Sequence, residues 1–161
     1  MAFVPRMTKW WMALPALLAA TAPAAAFTKD TLEATLTQDG YNFARASDAV
    51  WAIDFNGKSA GPFKVVVALG ADEKLVVMFV IIADHAKFTA SRELLYTLAR
   101  QNFALDRAKL GLDDDGDLFV RIDGSPHAID AAELKIDIEQ LAACADNAYA
   151  TLKPLLQAPQ N

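Results

Sequence analysis

The densest group of metal-ligating side chains in the sequence is Asp113-Asp114-Asp115-Gly116-Asp117. Carboxylates spaced around a glycine are the material of a calcium loop, but such a loop needs glycine at its sixth position and a bidentate glutamate at its twelfth. With Asp113 first, Leu118 takes the sixth place and Gly124 the twelfth; with Gly116 sixth, Gly111 becomes the first ligand. Neither frame holds an ion, so the run reads as a solvated hairpin turn, with Asp115-Gly116 favouring positive φ. Asp84-His85 suggests a catalytic dyad or a metal site. One histidine beside one aspartate is too few ligands, and successive side chains point apart. His127 follows Ser125-Pro126 and reads as an exposed loop residue. Cys144 would need a base to act as a nucleophile, and His85 and His127 are the two histidines present. Phosphate-loop and H-E-x-x-H patterns are missing, and Gly57-Lys58-Ser59-Ala60-Gly61, which spells G-x-S-x-G, lies in a small-residue loop that leads into a strand rather than at the strand-to-helix turn of a nucleophile. These residues therefore predict no catalytic group, no metal and no cofactor.

The chain has 161 residues, 15 Lys+Arg and 20 Asp+Glu, with a net charge of −5. Its first stretch differs from the rest. Arg6 and Lys9 precede an uncharged apolar run that starts at Trp10, and Ala24-Ala25-Ala26 supplies small residues at a cleavage site. This order predicts a secretory signal peptide over residues 1–26, cut between Ala26 and Phe27. Pro15 and Pro23 interrupt the run, and its second half is Ala and Thr, which argues against a membrane anchor. Loss of Arg6 and Lys9 leaves 13 basic against 20 acidic residues, so the mature charge is −7. The expected location is periplasmic or secreted. An acidic chain without a basic cluster argues against nucleic acid or an anionic membrane surface as partner. A single cysteine excludes an internal disulfide and a multi-thiol zinc site. After the leader, the longest apolar run is Leu75 to Ala83, nine residues, too short to span a bilayer.

The remaining chain is long enough for one domain with a real core. Thr28 to Gln38 predicts a helix capped by Thr28 or Asp30 and stopped by Gly40. Tyr41 to Ala46, then Trp51, Ile53 and Phe55, alternate as strands do, and Phe63 to Leu69 is rich in valine. Leu75 to Ala83 is apolar throughout, which predicts a central strand covered on both faces and equally intolerant of charge at Val77 and Val80. A helix follows from about Ala90 to Asn102, capped by Thr89 or Ser91. Ala108 to Leu112 and Leu118 to Ile122 flank the Asp-Gly turn. A last helix starts at Asp130-Ala131-Ala132-Glu133 and runs to about Lys153, before Pro154. Residues 157–161 are expected to be a disordered tail. The order is helix, three strands, helix, two strands, helix: an α+β fold whose antiparallel sheet is covered by helices.

The two long helices differ. On the middle one the apolar arc runs from Leu94, Leu98 and Leu95 on to Tyr96, Ala99 and Phe103, and spans about 200° where one sheet face needs about 100°. The surplus is covered either by the last helix or by a second chain. The last helix carries one stripe, Leu134, Ile138, Leu141, Ala145, Ala148, Tyr149 and Leu152, with Asp137 and Asp146 off it and Cys144 at its edge as a half-buried, inert thiol.

This order, together with Leu94-Leu95-Tyr96-Thr97-Leu98-Ala99-Arg100-Gln101-Asn102-Phe103, resembles the YbjN family, which shares the fold of type III secretion chaperones, including the CesT/Tir chaperone group. The family pattern of a Leu-rich helix ending near Asn, a strand, an acidic-Gly turn, a strand and a last helix with an Ala-Asp pair corresponds to Leu94–Asn102, Ala108–Leu112, Asp113–Gly116, Leu118–Ile122 and Ala145-Asp146. Leu36, Asp39-Gly40 and Tyr41 resemble its helix-then-Gly opening. The likeness covers Thr28 to Leu156. It implies a non-enzymatic, often dimeric fold that binds a segment of another protein, with no catalytic residue to carry over. Secretion chaperones are cytoplasmic, whereas this chain has a leader, which argues against docking an effector before type III export.

The leading expectation is an exported, non-catalytic protein-binding or chaperone-like module that uses a sheet edge and the wide apolar arc. It is expected to form a homodimer with Tyr96, Ala99 and Phe103 at or near the interface. The alternative is a carrier of a small ligand or lipid, in a pocket lined by Trp51, Phe55, Met78 and Phe79.

Overall fold

Residues 26–156 are described by the structure, a computed structural model. The expected signal peptide, save Ala26, and the expected disordered tail over 157–161 lie outside the described residues. Local chemistry sets the helix starts. Thr28 caps α1 (Lys29–Gln38) through a reciprocal pair with Thr31, Ser91 caps α2 (Arg92–Ala104) at the Leu94 amide, and Asp130 caps α3 (Ala131–Leu152) at the Glu133 amide.

Six strands form one antiparallel sheet: β1 (Phe43–Ser47), β2 (Val50–Gly57), β3 (Gly61–Leu69), β4 (Val76–Ala83), β5 (Lys109–Leu112) and β6 (Leu118–Gly124), in the order β1-β2-β3-β4-β6-β5. The expected α+β class and helix-covered antiparallel sheet are found. Four strands precede α2, one for each of the four segments between Tyr41 and Ala83 that read as strands, so the α-β-β-β-α-β-β-α order counts one too few. The tight reversals at Ser47–Val50 and after Leu69 turn each apolar segment back on its predecessor, so each pairs as a strand of its own. The acidic run makes the expected turn between β5 and β6, with Gly116 at φ +89°.

Register puts one residue set on each face. Trp51 and Ile53, Val65 and Val67, Met78 and Val80, Val120 and Ile122 line the inner face and are buried. The α3 stripe packs on this face: Leu134, Ile138, Leu141 and Leu152 are fully buried. On α1, Leu32 and Leu36 are also fully buried, and the Trp51 indole N–H donates to Glu33 at 2.9 Å. The outer face carries Ala52, Val66, Phe79 and Arg121 in one row, and Ile81, Phe119 and Gly111 in another. Among the described residues no helix lies over it. This corrects the expectation for β4. Val76, Met78 and Val80 are buried, whereas Val77 and Phe79 are half-buried and Ile81 is exposed.

Candidate interaction surface

The middle helix presents the most conspicuous surface. At 100° per residue, Leu94, Leu98 and Leu105 point one way, while Leu95, Ala99, Phe103 and Tyr96 fill an adjoining arc of about 100°. The first group anchors α2 beside β5, with Leu94 and Leu98 buried. The second stays in solvent: Leu95 is 48% exposed, Tyr96 67% and Phe103 95%, and Ala99 is exposed as well. Within the chain, α3 does not cover the surplus. A phenylalanine left almost wholly in water forgoes the roughly 1.5–3 kcal/mol that burial contributes.

The outer sheet face is a second apolar surface. Val77, Phe79, Ile81 and Phe119 surround a depression of about 200 Å³, with Asp113 and Arg121 at its margin. A Cβ on Gly111 would stand 2.9 Å from the Phe119 ring, so glycine there is what lets the aromatic lie across the edge strand. Arg121 is held by Asp123 at 2.6 Å.

The two sheet edges differ. On β5, Leu110 donates its N–H to the Asn102 side chain at 2.7 Å and receives the Asn102 amide on its carbonyl at 2.9 Å. One side chain thus occupies the outward hydrogen-bonding groups of Leu110, within that strand. On β1, the Asp54 N–H bonds the Asn42 carbonyl, so pairing alternates to leave the N–H and C=O of Phe43 and Arg45 pointing away from β2. Asn102, seen in the sequence only as a helix end, blocks the β5 edge at Leu110, whereas among the described residues no strand pairs with the outer side of β1.

The motifs separated in sequence meet in space. The His85 imidazole Nδ1 lies 2.7 Å from an Asp117 carboxylate oxygen, and the same oxygen accepts the His85 backbone N–H at 2.8 Å. Hydrogen bonding to Asp117 raises the His85 pKa, and the His85 backbone and ring lower that of Asp117. His127 is exposed, as expected. Cys144 is half-buried beside Gln101, Ala104 and Leu105, and burial pushes its thiol pKa up, the opposite of activation. Trp51 and Met78 are fully buried in the core, so the pocket expected from Trp51, Phe55, Met78 and Phe79 does not form. Phe55 lines a groove beside α3, whereas Phe79 lies on the outer sheet face. At Tyr41, burial first and then Glu139 and Asp39 push the phenol up to about 12.

Two acidic residues of α3 do work that the stripe hid. Asp137 is fully buried, not off the stripe: it follows Leu134 by three and precedes Leu141 by four, which places it on the apolar face. One of its oxygens bonds Arg107 at 2.9 Å and the other has no partner. Burial raises its pKa despite the opposing pull of Arg107. Asp146 accepts the backbone N–H groups of Lys58, Ser59 and Ala60 at 3.1, 2.7 and 2.8 Å, and so ties the β2–β3 loop to α3. Those bonds hold its carboxyl below the ordinary range.

A six-stranded antiparallel sheet with α1 and α3 on its inner face and α2 beside its β5 edge is the type III secretion chaperone-like fold. Among solved structures, the chain resembles YbjN from E. coli, with a TM-score of 0.61, 15% identity, and coverage of 84% of this chain and 100% of that one. It also resembles the Yersinia pestis type III secretion chaperone SycH, solved with a fragment of YscM2 (TM-score 0.51, 17% identity, 74% and 98% covered). The ExsC–ExsE complex is similar too (TM-score 0.54, 11% identity, 82% and 95% covered). No family model and no curated protein matches the chain.

Proposed function

We propose that this protein is a non-catalytic module of the cell envelope that binds a segment of another protein and pairs with a second copy of itself. The uncovered apolar arc of α2, with Phe103 at 95% exposure, carries this reading. The chaperone complexes among its structural neighbours support protein binding by the same fold. The outer edge of β1 suits an extended partner segment, which would gain main-chain hydrogen bonds at Phe43 and Arg45. Export rests on the leader. Cleavage at Ala26–Phe27 would leave Phe27, buried and bonded through its nitrogen to the Pro126 carbonyl, as the first residue of the fold.

In a twofold dimer, Tyr96, Ala99 and Phe103 meet their own copies, so one substitution acts twice. Burying a tyrosine and a phenylalanine from each side contributes several kcal/mol, at roughly 1.5–3 kcal/mol per large side chain, against the cost of association and the repulsion of two acidic chains. Light scattering coupled to gel filtration at tens of micromolar should give a dimer for the wild type. For Phe103→Glu and Tyr96→Glu it should give a monomer with an unchanged circular dichroism spectrum. A monomeric wild type refutes the dimer, and an unfolded Tyr96→Glu protein refutes the placement of Tyr96 on the surface. Intact mass of the protein from its own host should begin at Phe27; retention of residues 1–26 overturns export by cleavage.

A further inference from the structure

The geometry points to a surface site for a divalent transition-metal cation of zinc type, formed by Asp84, His85 and Asp117. One ligand atom from each of the three lies within 4.8 Å of the other two. The His85 Nδ1 stands 2.7 Å from Asp117 and 3.8 Å from Asp84. Donor atoms bound at about 2.0–2.2 Å to one zinc ion stand roughly 3–3.6 Å apart, so these separations bracket the required spacing. The adjustment falls on side chains free to make it: His85 and Asp84 side chains are 56% and 50% exposed.

Backbone holds the cluster together. Asp84 caps the single 3-10 turn His85–Lys87 through the Ala86 N–H at 2.8 Å, while Asp117 accepts the His85 N–H. Asp113 in turn accepts the N–H groups of Asp115 and Asp117, which fixes the hairpin across from the turn. The end of β4 and the start of β6 thus supply ligands 32 residues apart in sequence. Asp84 and Asp117 flank the imidazole and Asp115 lies near enough to act on its charge, and among the described residues none of the three is paired with a lysine or arginine. An imidazole nitrogen with carboxylates selects zinc, copper or nickel over calcium and magnesium. Three protein ligands leave positions for water.

The ion takes the place of the proton between His85 and Asp117. An imidazolium releases that proton to solvent; a neutral ring moves it from Nδ1 to Nε2. Binding is therefore stronger at pH 8 than at pH 5.5, where His85 is charged. The site does not depend on the dimer or the protein partner.

The probe is zinc chloride added to protein purified without an affinity tag, followed by isothermal titration at pH 7.5 and by melting temperature. One ion per chain and a rise in melting temperature are expected at pH 7.5, while calcium at the same concentration produces neither. His85→Ala should weaken zinc binding about tenfold or more, and Asp84→Asn, which keeps the side-chain shape, should weaken it as well. No saturable zinc binding up to about 1 mM, or an affinity unchanged in both variants, overturns the site. Circular dichroism of each variant separates loss of ligand from loss of fold.

Discussion

Replacing Arg107 by methionine isolates the energetics of the buried acid. Arg107 lies in the link between α2 and β5 and bonds Asp137, which is wholly enclosed, as well as the more exposed Glu133. Methionine keeps most of the apolar stem and removes the charge. Asp137 then has no cation, and its second oxygen already lacks a partner. At pH 7.5 the native state can keep the carboxylate unpaired or take up a proton. The second route sets a ceiling of about 1.36 kcal/mol per pH unit above the ordinary carboxylate pKa, roughly 4–5 kcal/mol in all. The wild type already bears part of that, because burial outweighs Arg107 and holds the Asp137 pKa up. The added loss should therefore be about 1–3 kcal/mol. Loss of the exposed Glu133 pair adds about 1 kcal/mol at most.

The sign follows from proton binding. A carboxyl whose pKa is raised by folding holds its proton in the native state while the unfolded chain has released it. Stability then falls as pH rises from the ordinary carboxylate range through the folded pKa. The gap between Arg107→Met and wild type should be widest near pH 7.5 and should close towards pH 4.5. Urea unfolding measures it: with a slope of about 1–3 kcal/mol per molar, the midpoint should move by roughly 1 M at pH 7.5. Adding Asp137→Asn to Arg107→Met should abolish the pH dependence of the gap. An equal loss at both pH values would show that Arg107 acts through packing, and would refute the electrostatic argument.

Val80→Asp should leave the chain unfolded by circular dichroism, since Val80 is 2% exposed on the inner face and a carboxylate there has no partner. Val77→Asp should stay folded and soluble, because Val77 sits on the outer face, weakened only by the like charge of Asp123 opposite it; an unfolded Val77→Asp protein would mean that this face is covered. Asp146→Ala should lower the melting temperature at neutral pH, with the difference shrinking in acid. The Asp146 carboxyl is held low by three N–H groups, so its contribution is present above the ordinary carboxylate range and lost as pH falls through the folded pKa. A difference that persists unchanged at acid pH would assign the effect to something other than those bonds.

Much of the fold was legible in the sequence because its signals are local. Thr28, Ser91 and Asp130 cap the three helices from positions that the apolar periodicity marks, and Asp115-Gly116 turns the chain between β5 and β6. Alternation placed Trp51 and Ile53 inside, and the width of the α2 arc showed that one sheet face could not use all of it. Asp137 was legible too, at i+3 from Leu134 and i−4 from Leu141, but its charge argued it off the stripe; only Arg107, 30 residues away, makes the burial tenable. The expectation of a leader over residues 1–26, by contrast, rests on the sequence alone. What period and turn chemistry cannot contain is which distant segments share a register. Leu75 to Ala83 is apolar at every position, so no pattern says which face is covered; that was decided by α3 lying on one side. The meeting of His85 with Asp117, the blocking of the β5 edge at Leu110 by Asn102, and the exposure of Phe103 arise in the same way. Each depends on the pairing of β4 with β6 and the seating of α2 against β5, distances set by packing between elements rather than by any residue's neighbours in the chain.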